Sequence, residues 1–179
     1  MMEVAKQSNQ KFGKKREVRI ASIYSRCLIT RNIVLPIVSV GKNIKDTIEK
    51  SVVGNYEGKC LVEGFVKPGS IKIITHSSGI IQGTNILFTV VIECQVCFPV
   101  EGTLISCVAK NITKAGIRAE SADETPSPIV VFIARDHHFN VQQFSNIQEG
   151  DKFNVRVIGQ RFELNDKYIS IIAELVPPR

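Results

Sequence analysis

Cys94-Gln95-Val96-Cys97 has the spacing of half a zinc site, because two thiolates three positions apart can grip one tetrahedral ion. A complete site needs a second pair, and Cys27, Cys60 and Cys107 stand singly. The text around the motif is strand-like, so at a period of two Cys94 and Cys97 fall on opposite faces. A redox pair would instead want a helix start after a strand. The five cysteines therefore read as free thiols, mostly buried. His137-His138 has the chemistry to bind a metal or move a proton, but only Asp136 accompanies it, and we read it as a loop pair after a strand. His76 is isolated. Glycine-rich phosphate loops, Ser/His/Asp patterns and paired carboxylates do not occur. These residues predict no catalytic site, no metal and no cofactor.

Cations are the remaining chemistry. The sequence holds 23 Lys and Arg against 17 Asp and Glu, a net charge of +6. Residues 1–31 carry eight basic side chains and two acidic ones, so the whole excess sits at the front. The remaining 148 residues are balanced at 15 of each sign. Residues 1–17 read as a disordered basic arm, with Lys11, Lys14, Lys15 and Arg16 as its cluster. In the second half, Lys114, Arg118, Arg156 and Arg161 are polar positions expected to face outward, where each could meet a phosphate.

These side chains need elements to hold them. From Phe153 to Val157 apolar and polar residues alternate, which is a strand with one buried face. Asn165-Asp166 makes a turn, and Ile169, Ile171, Ala173 and Leu175 resume the alternation in a second strand. Thr103–Asn111, Ile117–Glu120 and Ile129–Ala134 add three strands, the last apolar throughout. The helix-poor stretch His138–Ile147 connects the third strand to the fourth. Five strands in this arrangement match an OB-type barrel.

The first half has strand-like text from Val18 to Val38, with both faces partly apolar and Pro36 marking an edge or an end. Ile44, Ile48 and Val52 recur at helical spacing behind a candidate cap, Asn43, and Gly54 is the expected stop. Lys59–Val66, a Lys67-Pro68-Gly69-Ser70 turn, Ile71–Thr75 and the long apolar run Ile86–Phe98 complete a small α+β unit. The expected organisation is an elongated two-domain protein, with an α+β domain over 18–99 and an all-β barrel over 100–179. No apolar run approaches the ~20 residues a membrane helix requires, and no secretory signal is evident at the front. The expected setting is intracellular.

The order of these pieces resembles the stalk subunit of multisubunit RNA polymerases, the seventh-subunit family of RNA polymerase II and its archaeal counterpart. The similarity spans roughly residues 18–175. Its specific element is the join Phe98-Pro99-Val100-Glu101-Gly102, where a β-rich tip domain runs directly into an RNA-binding barrel. The phrase EGDKFNVRVIGQRF is similar to that barrel's entry into its fourth strand.

The resemblance implies a non-catalytic subunit of a DNA-dependent RNA polymerase. Its tip domain docks on the large core subunits near the clamp, its barrel meets nascent RNA, and a helical fourth-subunit-like partner packs along both domains. It implies the nucleus in a eukaryotic cell, or a viral replication site or virion. For docking, Phe65, Val66, Lys67, Pro68 and Gly69 are the candidates, as an apolar point in a wet turn. Barrels of this family often carry an aromatic residue just after the glycine of the first hairpin, and here Ile117 and Arg118 follow Gly116. Weak RNA binding is therefore expected of the barrel alone. Two other readings stand beside this one: a free-standing RNA-binding protein of translation or RNA turnover, and a regulatory protein stabilised by metal at the cysteine motif.

Overall fold

The computed structural model describes residues 22–177. The expected basic arm, with Lys11, Lys14, Lys15 and Arg16, lies outside them. The first sheet is built on one long strand. In chain order come β1 (Tyr24–Pro36), a 3-10 turn (Ile37–Ser39), α1 (Ile44–Tyr56), β2 (Cys60–Leu61), β3 (Gly64–Val66), β4 (Lys72–His76), β5 (Ile80–Gln82) and β6 (Asn85–Cys97). The run of β-branched residues read as one strand is β6, the spine of the sheet. Along one side it pairs with β1 from Pro36↔Asn85 to Tyr24↔Cys97. Along the other it meets β5, β4 and β3 in turn.

The helix covers one face of this sheet. Ile48 and Val52 are fully buried, packed in a core with Ile29, Ile33, Val90 and Ile92. Burying each such side chain contributes about 1.5–3 kcal/mol. Two expectations fail at its ends. Asn43 precedes the helix without a side-chain capping bond, and the helix runs through Gly54 to Tyr56. Lys59 Nζ reaches the carbonyl oxygens of Gly54 and Asn55 at 3.2 and 3.3 Å, satisfying acceptors that a helix end leaves bare. The left-handed residue comes later, at Gly58 with φ of 68°.

Among the described residues, the opposite face of the sheet is uncovered beyond the end that meets the second half of the chain. There β1 turns Leu28 and Val34 outward, 63% and 52% exposed, so the strand expected to be apolar on both faces is covered on one.

The second half is a closed five-stranded barrel of β7 (Leu104–Ile112), β8 (Gly116–Ser121), β9 (Ile129–Ala134), β10 (Lys152–Arg161) and β11 (Ile169–Val176). Neighbours run β7-β8-β9-β11-β10 and back to β7, with β9 and β11 parallel, which is OB-type connectivity. The alternation read from the sequence holds: Phe153, Val155 and Val157, with Ile169, Ile171, Ala173 and Leu175, all face the core. Asn165 takes the left-handed turn conformation at φ of 69°. The connection between β9 and β10 is less irregular than expected. A 3-10 turn (Arg135–His137) is followed by a short helix, α2 (Gln142–Asn146), whose Phe144 enters the barrel core.

Sheet and barrel share a seam. Cys60, Phe65 and Cys97 of the first sheet belong to the barrel's apolar core, with Ile23 and Tyr24 packed beside them. The amide of Cys60 donates to the Asp166 carbonyl at 2.8 Å, and the amide of Asn165 donates to the Cys60 carbonyl at 2.9 Å. The β10–β11 turn thus extends the sheet past β2.

Candidate nucleic-acid interface and partner surfaces

The outer face of β8, β9 and β11 gathers cations and aromatic rings. Because Ile129, Val131 and Ile133 point inward, Phe132 points out. It lies opposite Arg118 on β8 and opposite Ile172 on β11. All three are exposed. Next to this row, a cleft of about 380 Å³ is bordered by Lys110, Arg118, Val130 and Tyr168, and also by the carboxylates Glu120 and Glu124, which are paired with Lys110 and Lys67. Lys110 is 3.9 Å from Glu120, whereas Arg118 has no ion-pair partner among the described residues. An apolar ring beside an unneutralised guanidinium can accept a base and its phosphate together.

The four cationic candidates separate here. Arg118 is at the centre. Lys114 is exposed at the tip of the β7–β8 hairpin, where its carbonyl accepts from Arg135 Nε at 3.0 Å. Arg161, on β10, lies opposite Ser170 at the margin of the face and 3.5 Å from Glu163. Arg156 stands apart, opposite Leu104, and donates to Glu174 at 2.9 Å.

Sequence reasoning missed Phe132. A strand that is apolar throughout gives no sign of which residues face out. Parity separates Phe132 from Ile129, Val131 and Ile133 without saying which set faces inward. The position after Gly116 holds Ile117, which is fully buried. The ring comes from the next strand instead: a Cβ at Gly116 would sit 3.0 Å from Phe132 Cζ.

The expected docking turn is split between interior and surface. Phe65 is 5% exposed and Val66 fully buried, so neither offers an apolar point to a partner. Both are held by the sheet, Phe65 against the barrel core and Val66 under the helix side. Lys67 Nζ lies 3.1 Å from Glu124 and 4.7 Å from the centre of the Tyr24 ring, which ties the turn to the barrel loop. Burial, with smaller contributions from Cys97 and Glu124, holds the Tyr24 phenol well above its usual range. Pro68 and Gly69 remain at the surface. The exposed apolar end is elsewhere, at the start of β6 and farthest from the barrel. There Val38 is 93% exposed and Ile81 71%, with Ile37 and Ile80 beside them.

The other chemical candidates resolve geometrically. Cys94 packs on the helix side of β6 and Cys97 in the barrel core, so the motif does not converge on one point. Burial pushes the Cys107 and Cys97 thiols up to about 12. Both lie in the connection after β9, as expected of a loop pair: His137 is exposed, whereas His138, just past the 3-10 turn, is buried at 5% exposure.

No protein-family profile matches the chain. Among curated proteins it is similar to "Putative DNA-directed RNA polymerase subunit L376" of Acanthamoeba polyphaga mimivirus. The identity is 28% over 158 aligned positions, covering 79% of this chain and 76% of the relative. Among solved structures, an uncharacterized protein of Methanocaldococcus jannaschii aligns with 46% of this chain and 99% of its own at 17% identity and a TM-score of 0.36.

Proposed function

We propose that this chain is a non-catalytic stalk subunit of a DNA-dependent RNA polymerase of viral type. It would act at the site of viral transcription, docking on the large core subunits and holding emerging RNA on its barrel. The observation that carries the reading is a helix-backed sheet joined through Phe98–Gly102 to an OB-type barrel, in a chain similar to a protein named as an RNA polymerase subunit. The far apolar end formed by Val38, Ile80 and Ile81 is the docking surface in this reading, displacing the Phe65–Val66 part of the turn. The open sheet face with Leu28 and Val34 continues from the seam where the barrel packs, and it is the seat for a helical partner subunit. Single-stranded RNA would lie across Arg118, Phe132 and Tyr168, with Lys114 and Arg161 at its margins.

The test is affinity purification of the tagged full chain from cells in which the cognate polymerase is made, followed by mass spectrometry. Large polymerase subunits should be recovered at stoichiometric levels with the wild type and be depleted with Val38→Glu, a substitution at a fully wet position. Recovery of RNA and ribosomal or decay factors without polymerase subunits would favour the free-standing RNA-binding protein and end the stalk reading.

A further inference from the structure

Cys27 and Cys94 occupy directly opposed positions on the antiparallel strands β1 and β6, and so project to the same face. Their pairing type follows from the neighbours. The amide of Lys67 donates to the Gln95 carbonyl at 2.9 Å, and the amide of Gln95 donates to Ser70 Oγ at 3.1 Å. Gln95 therefore spends its backbone groups away from β1, and Cys94, one residue earlier, turns its own toward β1. Cys27 and Cys94 are a hydrogen-bonded pair, whose Cα atoms stand about 5.5 Å apart. A disulfide spans Cα separations of roughly 4.4–6.8 Å with Cβ atoms about 3.5–4.5 Å apart, so the Cβ spacing of a hydrogen-bonded pair, about 5.5 Å, must close by about 1 Å as the bond forms.

We propose that Cys27 and Cys94 are a reversible thiol–disulfide site that staples the edge strand β1 to β6. The other thiols cannot substitute. Cys60 and Cys97 both lie opposite Phe65 with β3 between them, about two strand spacings or 9.6 Å apart. Cys107 is buried in the barrel on β7.

The two sulfurs differ in access. Cys94 is 1% exposed, and burial first, then the neighbouring Cys27, push its thiol up to about 11. Cys27 is half-buried on the edge strand and is the sulfur that an oxidant meets. Hydrogen peroxide oxidises the Cys27 sulfur to sulfenic acid as its O–O bond breaks and one water leaves. The Cys94 sulfur then attacks the Cys27 sulfur, the S–S bond forms, and the sulfenic oxygen departs as a second water. A dithiol reductant reverses the change by exchange. Among the described residues β1 pairs with β6 alone, and this bond fixes that attachment of the strand bearing Leu28 and Val34. The two thiols meet within one sheet of this chain, so forming the bond needs no partner subunit.

The test treats the reduced full chain with hydrogen peroxide and counts thiols in denaturant. Two of the five thiols should disappear, and mass spectrometry of non-reduced digests should show one linked peptide joining Cys27 to Cys94. The oxidised chain should melt at a higher temperature than the reduced one, and dithiothreitol should return it. Cys27→Ser should abolish the linked peptide and the thermal shift while leaving the reduced melting temperature nearly unchanged. The proposal falls if the treated chain keeps all its thiols, if Cys27 accumulates only as sulfinic acid, or if the linked peptide joins other cysteines or two chains.

Discussion

The backbone amide of Leu175 donates to Nε2 of His138 across 2.9 Å inside the barrel. The proton of that imidazole is therefore on Nδ1, which donates to the Ala134 carbonyl at 2.7 Å. The ring stacks on Phe144 with centroids 5.2 Å apart, so one side chain ties the end of β9, the short helix and β11 together. His138→Leu leaves a buried donor and a buried acceptor without partners, and should cost about 2–4 kcal/mol in urea unfolding. His137→Ala, at an exposed position, should stay within about 0.5 kcal/mol.

Gly64 is required by two constraints at once. Its φ is 123°, and a Cβ there would collide with the Cys97 carbonyl and the Val96 side chain. Gly64→Ala should destabilise the chain by about 2–3 kcal/mol. Gly69 shares a positive φ of 73° but faces open space, so Gly69→Ala should cost only about 1 kcal/mol. Equal losses in paired thermal melts would contradict this account of the seam.

Stacking on the barrel face makes a quantitative claim. Phe132→Ala and Tyr168→Ala should each weaken binding of a single-stranded oligonucleotide by about 1–3 kcal/mol, with little change in salt dependence. Arg118→Ala should lower the slope of log affinity against log salt by about 0.7, one phosphate's share on a single strand. Arg156→Ala should leave both unchanged, since Arg156 is paired to Glu174 away from the face.

The buried thiols set an alkaline limb. Burial raises Cys60 and Cys94 to about 11, and Cys97 and Cys107 to about 12, against about 8.5 in an unfolded chain. Between those values the unfolded state loses protons that the folded state keeps, so stability falls as pH rises. The loss begins near pH 8.5 and approaches at most about 1.4 kcal/mol per pH unit for each thiol. Denaturant midpoints from pH 7 to 10 measure it. A flat profile would show that these sulfurs ionise freely in the fold.

How much the sequence disclosed depended on whether a pattern carried contrast. Ile169, Ile171, Ala173 and Leu175 alternate with wetter residues, so their inward direction was legible from the residues alone. Ile48 and Val52 were legible for the same reason at helical spacing. Ile129–Ala134 has no such contrast, and the outward ring of Phe132 was hidden in it. Phe65 failed differently: a short apolar pair beside a proline turn looks the same whether it meets a partner or its own barrel. His138 is held under Phe144 of α2 and against Leu175 of β11, and five residues of Gln, Phe, Ser and Asn give little helical signal alone. The Cys27–Cys94 opposition required the strand register, which spacing does not encode.

The turn at Asn165-Asp166 supplies the outermost rung of a sheet whose other strands are all made before residue 98. During synthesis the amino-terminal half therefore leaves the ribosome before the partners of the Cys60 backbone groups are made, since among the described residues those groups bond only to Asn165 and Asp166. A bare strand edge in that interval is a site for wrong pairing between nascent chains. Growth at low temperature or slower translation should then change the soluble yield of this protein more than its melting temperature suggests.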